Sequence, residues 1–164
     1  MLLALRDSYG YDVVGEAATD VIVEAQAAGV EEPWRATGFT EAIVALQLER
    51  EMSSYDGPVR LFDRSPVCTL ALARYLGHPV GPRLAAEIAR VVESGVYERQ
   101  VFLLRPLGFI TPTDARRISY EESLVFERGH EKTYGELGFE LVDVLPVDVA
   151  SRVVQIDEAI RAWA

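Results

Sequence analysis

The sequence predicts an α/β fold in three layers, with helices on both faces of a mostly parallel sheet. Three observations carry this expectation. Short apolar runs alternate with helical stretches along the whole chain, which is the pattern of strand–helix–strand crossovers. Most of the runs are unbroken rather than alternating, as in a sheet covered on both sides. Capping residues, Gly or Pro stand at nearly every boundary. At 164 residues the chain fits a single domain, 1–164.

The elements follow in order. Met1 to Ser8 (MLLALRDS) is a strong helix former with no cap ahead of it, so the chain starts inside a helix that Gly10 stops. Tyr11 to Val14 is a short strand with Glu16 at its end, and the Ala-rich stretch Ala17 to Ala28 is helical until Gly29. After a loop with Pro33 and Trp34, Thr37 or Thr40 is expected to cap a long helix to about Ser54, with Phe39, Ile43 and Leu46 on one face. Val59 to Phe62 is the next strand. Ser65 as N-cap and Pro66 at the first helical position open a helix that Gly77 ends, and Pro82 starts another that runs to Gly95. Gln100 to Leu104 (QVFLL) is a compact strand, followed by a lid-like loop over 105–118. Ser119 and Glu122 have capping-box spacing and announce a helix lasting to Gly138. Phe139 to Val144 is a strand, and Asp148 caps a last helix whose stripe Val149, Val153, Ile156, Ile160 and Trp163 faces the core.

Composition excludes several functions. The formal net charge is −10 and no basic stripe relieves it, so nucleic acid is not expected as a partner, because phosphate neutralisation supplies most of that affinity. No apolar run approaches the roughly 20 residues of a membrane helix, and no secretory leader is visible. A soluble, cytoplasmic protein is expected. Cys68 is the only cysteine, which excludes an internal disulfide; its apolar neighbours suggest a packing role. His78 and His130 lack ligand-like spacing and read as surface or packing residues. Trp34 and Trp163 read as core contacts, and Glu49, Glu51 and Asp56 as a solvated helix face.

In an open parallel sheet, ligands bind beyond the carboxyl ends of the strands, where Glu16, Asp63 and Arg105 stand. Asp63 is open to two readings. As a helix-start acid it meets the dipole of the following helix, with Arg64 a solvated neighbour. As a functional acid it holds Mg²⁺ or accepts a hydroxyl proton, with Arg64 bracing an acceptor. A haloacid-dehalogenase-type phosphatase would need a second Asp where Ser65 stands, and a receiver domain would need a strand-end lysine, whereas Lys132 lies in a helix. Arg116 and Arg117 either neutralise Glu121 and Glu122 or close over a triphosphate.

The segments GYDVVGEAATDVI (10–22), FDRSPVCTLALARYLG (62–77), VFLLRPLGFITPTDARRISYEES (101–123) and HEKTYGELGFELVDVLP (130–146), in this order, resemble the AAA_28-type P-loop ATPases. These are kinase-like NTPases related to the ribosylnicotinamide kinase domain. The resemblance implies a nucleoside- or nucleotide-kinase-like P-loop fold using ATP and Mg²⁺. It implies that Asp63 is the metal-binding or catalytic carboxylate and Arg116 a catalytic lid arginine. Arg116, Arg117 and Arg105 would contact the nucleotide, and Glu16 and Arg64 an unknown small-molecule acceptor.

Two departures stand out. Thr19 occupies the position where relatives carry an Arg, three residues after Glu16. Relatives also begin with a strand and a Gly-x-x-Gly-x-Gly-Lys-Ser/Thr loop, whereas Met1-Leu2-Leu3 aligns with the helix after that loop. The missing strand would be central, between Val59–Phe62 and Gln100–Leu104, leaving a gap of about 10 Å and two unpaired edges. Such edges invite a partner strand or a homo-oligomer. A start assigned too far downstream is the preferred explanation over a truncated gene or a strand supplied in trans. The resulting expectation is an ATP-binding NTPase or small-molecule phosphotransferase, inactive or impaired without the loop, the alternative being a non-catalytic interaction module of the same fold.

Overall fold

The computed structural model of the chain describes residues 1–55, 57–108 and 119–163. Helix α1 (Leu2–Tyr9) leads into strand β1 (Asp12–Val14), helix α2 (Ala17–Ala27), a 3₁₀ turn (Pro33–Arg35) and helix α3 (Phe39–Met52). Strand β2 (Arg60–Phe62), helices α4 (Pro66–Leu76) and α5 (Pro82–Ser94) and strand β3 (Gln100–Leu104) follow. Helix α6 (Tyr120–Glu136), strand β4 (Glu140–Val144) and helix α7 (Val149–Trp163) complete the order.

Local chemistry accounts for most of these boundaries. Ser65 Oγ accepts from the Val67 N–H at 3.2 Å, with Pro66 at the first position of α4. Gly77 closes that helix at φ 68°, a left-handed conformation that glycine adopts without a Cβ penalty. The capping box at α6 is complete: Glu122 N–H donates to Ser119 Oγ at 3.1 Å, and Ser119 N–H donates to Glu122 Oε2 at 2.7 Å. Asp148 Oδ1 accepts from Ser151 N–H at 3.0 Å ahead of α7.

Strand β1 pairs in parallel with β2, Val14 opposite Phe62. Strand β3 pairs in parallel with β4, Leu104 opposite Val144. The pairs form two separate two-stranded sheets, and neither β2 nor β3 has a second hydrogen-bonded neighbour among the described residues. Yet both sheets lie between the same helical layers. On one face Leu5 of α1, Val144 of β4 and Val153, Ile156 and Ile160 of α7 bury together, with Leu61 of β2 and Phe102 of β3 packed against them. On the other, Val67 of α4, Val91 of α5 and Tyr134 of α6 pack with Val101 and Leu141. Phe62 meets Tyr97 of that second cluster edge-on, with ring centroids 5.3 Å apart. Leu61 and Phe62, like Val101 and Phe102, thus point to opposite faces, as consecutive strand residues must. The architecture is three-layered α/β/α, split between β2 and β3 where the resemblance implies an absent strand.

Several expectations need correction. Neither Thr37 nor Thr40 caps α3: Gly38 is the N-cap, and Thr40 is fully buried within the helix. Glu51 is not solvated, for its carboxylate accepts from Arg90 Nη2 at 2.8 Å and from the Tyr97 hydroxyl at 2.6 Å. Glu49 is exposed as expected, and Asp56 lies outside the described residues. Val149 leaves the apolar stripe of α7, being 55% exposed at the helix start, where the chain has just emerged from the loop after β4. Trp163 is partly exposed but stacks on Phe102 at 4.9 Å.

The layer shared by α1 and α7 should carry much of the stability. Ile156→Ala, at a site only 3% exposed, is expected to cost about 2–5 kcal/mol. Val149→Ala should stay within about 0.5 kcal/mol of the parent. Urea denaturation of both variants checks the contrast.

Candidate functional site

The carboxyl end of β1 delivers Glu16 to the start of α2, where it serves as N-cap residue without a side-chain cap bond. Its Oε2 instead accepts from the Thr19 hydroxyl at 2.8 Å. Thr19, at the position where the resemblance implies an Arg, thus bonds the carboxylate instead. The turn before it is held from α3: Arg50 Nη1 donates to the Gly15 carbonyl at 2.8 Å and pairs with Asp20.

One strand over, Asp63 leaves β2 with its backbone N–H donating to the Val14 carbonyl at 2.8 Å, which extends the parallel ladder by one bond. The Asp63 side chain is exposed. Arg64 then turns at φ 78°, and among the described residues it is the only non-glycine with positive φ. That conformation costs roughly 1–2 kcal/mol for a residue with a Cβ, and it aims the guanidinium along the strand ends. Its Nε lies 3.6 Å from Glu16 Oε1 and its Nη1 3.3 Å from His130 Nε2. The buried His130 ring is set by the bond of Nδ1 to the Phe126 carbonyl at 2.9 Å and stands edge-on to the Phe126 ring.

Strand β3 delivers Arg105, whose N–H continues the ladder to the Val144 carbonyl at 3.0 Å. Its guanidinium meets Glu127 and Glu131 of α6, each at 2.6 Å, and Asp143 of β4 at 2.9 Å. Three carboxylates hold its pKa well above the usual arginine value, first through the bond to Glu127. Helix α6 therefore touches both halves of the sheet within one turn, Glu127 and Glu131 on Arg105 and His130 on Arg64. Glu16, Arg64 and Arg105 are brought to one rim around that turn. Arg116 and Arg117 lie outside the described residues.

Between α2, α3, α4 and α6 lies a cavity of about 40 Å³, lined by Glu16, Arg64 and His130 together with Cys68, Gln47 and Phe126. Sequence reasoning found Glu16 and Arg64 but not the parts played by His130, Cys68 and Gln47. These three come from separate helices, and no spacing links them. The one signal available was the placement of Cys68 within the first turn of a helix opened by Ser65-Pro66.

Among the described residues no group of three or more His, Cys, Asp or Glu is able to hold a metal ion. A single exposed carboxylate at a strand end suits Mg²⁺ arriving on a phosphate, since that ion keeps most of its waters and takes one or two protein carboxylates. The 164 residues contain no Gly-x-x-x-x-Gly-Lys sequence, so they do not supply a phosphate cradle of that type. No helix among the described residues is long and apolar enough to cross a membrane.

Removing the Arg105 guanidinium leaves two glutamates four residues apart on α6 facing Asp143. Arg105→Ala is expected to lower the unfolding free energy by about 1–3 kcal/mol. Arg105→Lys should recover only part of it, because a point charge does not span three carboxylates. Chemical denaturation measures both.

Neither a curated protein nor a solved structure matches the chain. The model of one family, described as an AAA domain, matches residues 1–152. With that match over most of its length, a parallel α/β/α architecture and polar residues gathered at the strand ends, the chain belongs to the AAA_28 family of AAA domains, a P-loop NTPase-like group.

Proposed function

We propose that the chain forms one domain, the acceptor-side body of a Mg²⁺-dependent ATPase or small-molecule phosphotransferase of the P-loop kinase type. The observation that carries this reading is the meeting of Glu16, Arg64 and Arg105 around a single turn of α6, at the carboxyl ends of parallel strands. Phosphoryl transfer asks chiefly for positioning and charge stabilisation. In this role Asp63 orients a phosphate-borne Mg²⁺ or accepts the proton of the attacking hydroxyl. Glu16 and Arg64 hold the acceptor beside the cavity. Arg116 and Arg117, which lie outside the described residues, would contact the phosphates as the resemblance implies, and Arg105, braced by α6 at the carboxyl end of β3, would contact the nucleotide beside them. ATP supplies the phosphoryl group when bound, through a cradle of backbone N–H groups and a lysine that a Gly-rich loop provides.

A second reading is favoured by the two strand edges, β2 and β3, that have a hydrogen-bonded neighbour on one side only. A non-catalytic domain using those edges would bind a partner by adding a strand.

The test is ATP turnover by the chain carrying a Gly-x-x-x-x-Gly-Lys segment ahead of Leu2. Asp63→Ala should lower kcat by at least about 100-fold. Equal turnover by variant and parent would remove Asp63 from the chemistry. Calorimetric titration of residues 1–164 with Mg²⁺-ATP bears on the second reading, which Mg²⁺-dependent binding in the submillimolar range would eliminate.

A further inference from the structure

Arg152, in the first turn of α7, is a buried charge without a counter-charge. Only 8% of its surface is exposed, and among the described residues it belongs to no ion pair. A guanidinium keeps its proton at any ordinary pH, and burying it is costly unless a partner charge and hydrogen bonds compensate it. The carboxylates buried as deeply meet that demand. Asp157 pairs with Arg161 at 2.8 Å, and Glu87 with Arg90 at 2.9 Å. Hydrogen bonding also leaves Arg152 short: Nη2 donates to the Arg105 carbonyl at 2.8 Å, while Nε is buried and has no partner among the described residues. A buried donor of this kind marks a place where something outside the chain completes the bonding.

The acidic neighbours do not fill the gap. Glu127, Glu131 and Asp143 are bonded to the guanidinium of Arg105. Asp148 is turned to Ser151, accepting from its N–H at 3.0 Å and its hydroxyl at 2.6 Å. Charge at a distance lowers the cost of burying Arg152 but leaves the Nε donor unbonded. The helix start is likewise taken up, since the Arg152 N–H donates to the Asp148 carbonyl at 3.1 Å. Placement gives the unmet charge a direction. The Arg105 carbonyl stands just past the end of β3, and Leu145 N–H, just past β4, donates to Gln155 Oε1 of α7 at 3.3 Å. Two side chains one turn apart thus tie α7 to both strand ends and hold the guanidinium at the rim where parallel sheets receive ligands.

We propose that Arg152 anchors a site for a small oxyanion, the phosphate or carboxylate group of a ligand bound beyond the carboxyl end of β3. A guanidinium matches two oxygens that share a negative charge, and Nε is the donor the anion engages. The small part of the residue left exposed is its way in, which favours a compact ligand over a polymer. The carboxylates around Arg105 and the Asp148 side chain weaken the attraction, so binding is in the millimolar range. This site lies on the β3–β4 half of the rim, apart from the cavity of Glu16 and Arg64, and it does not rest on the phosphotransfer reading.

The test follows the Nε–Hε NMR signal of Arg152 in the nitrogen-15-labelled 164-residue protein, assigned through its own side-chain bonds. Pyrophosphate and malonate are titrated separately, each against sodium chloride at equal ionic strength. At least one anion should move the signal saturably with a Kd below about 5 mM. A response to pyrophosphate alone supports the site as one for phosphate, and a response to malonate alone supports it as one for carboxylate. Arg152→Met should weaken the binding at least about tenfold, the loss of a charge-assisted hydrogen bond, as read from backbone amide shifts around Arg105. Arg6→Gln, which removes an exposed arginine paired with Asp7 on α1, should leave the Kd unchanged. An Arg152 signal that moves no further with either anion than with sodium chloride overturns the proposal, as does equal affinity in Arg152→Met and the parent. The parent's titration decides the matter even where Arg152→Met fails to fold.

Discussion

The fold depends on apolar layers that hold together two half-sheets which, among the described residues, no backbone ladder joins. Leu61 and Phe102 reach one helical layer, and Phe62 and Val101 the other. Burial of apolar surface is non-directional and scales with area, so it holds strands side by side without a hydrogen-bonded ladder between them. Leu5 and Val144, each 1% exposed, sit at the centre of the layer that α1 and α7 form. The polar edges of β2 and β3 keep their capacity for bonding, which is why the same geometry suits a further strand.

Helix α6 translates this packing into chemistry. Tyr134 sits in the second core cluster and also bonds Ser65 and Cys68. One turn earlier His130 faces Arg64, and Glu127 and Glu131 face Arg105. A single helix face thus meets the ends of both half-sheets and the mouth of α4. A similar economy appears at Glu51, which joins α3 to α5 through Arg90 and to the loop before β3 through Tyr97. Burial and the bond to that carboxylate hold the Tyr97 hydroxyl well above its ordinary pKa.

Much of the fold was legible in the sequence because its determinants are local. Ser65-Pro66, Gly77, Pro82, Gly95 and the Ser119–Glu122 box act through the first or last turn of one helix, and each stands at the boundary its chemistry predicts. Parallel pairing followed from unbroken apolar strands. The misread positions depend on distant partners. Glu51 looks like a surface acid until α5 supplies Arg90, and Val149 fits the stripe of α7 by period alone while lying beyond the edge of the core. Glu16, Asp63 and Arg105 stand at or just beyond strand ends, as read from the sequence, because strand ends are marked locally. His130, Gln47 and Cys68 belong to α6, α3 and α4 and meet only through the packing of those helices. The left-handed turn at Arg64 was equally hidden, since a non-glycine residue gives no local sign of it.

The seam between β2 and β3 has a mechanical meaning. Among the described residues no backbone ladder joins β2 to β3, so the spacing between the half carrying Glu16 and Arg64 and the half carrying Arg105 is set by side-chain packing. Helix α6, bonded to Arg64 through His130 and to Arg105 through Glu127 and Glu131, is a side-chain tie between the two halves.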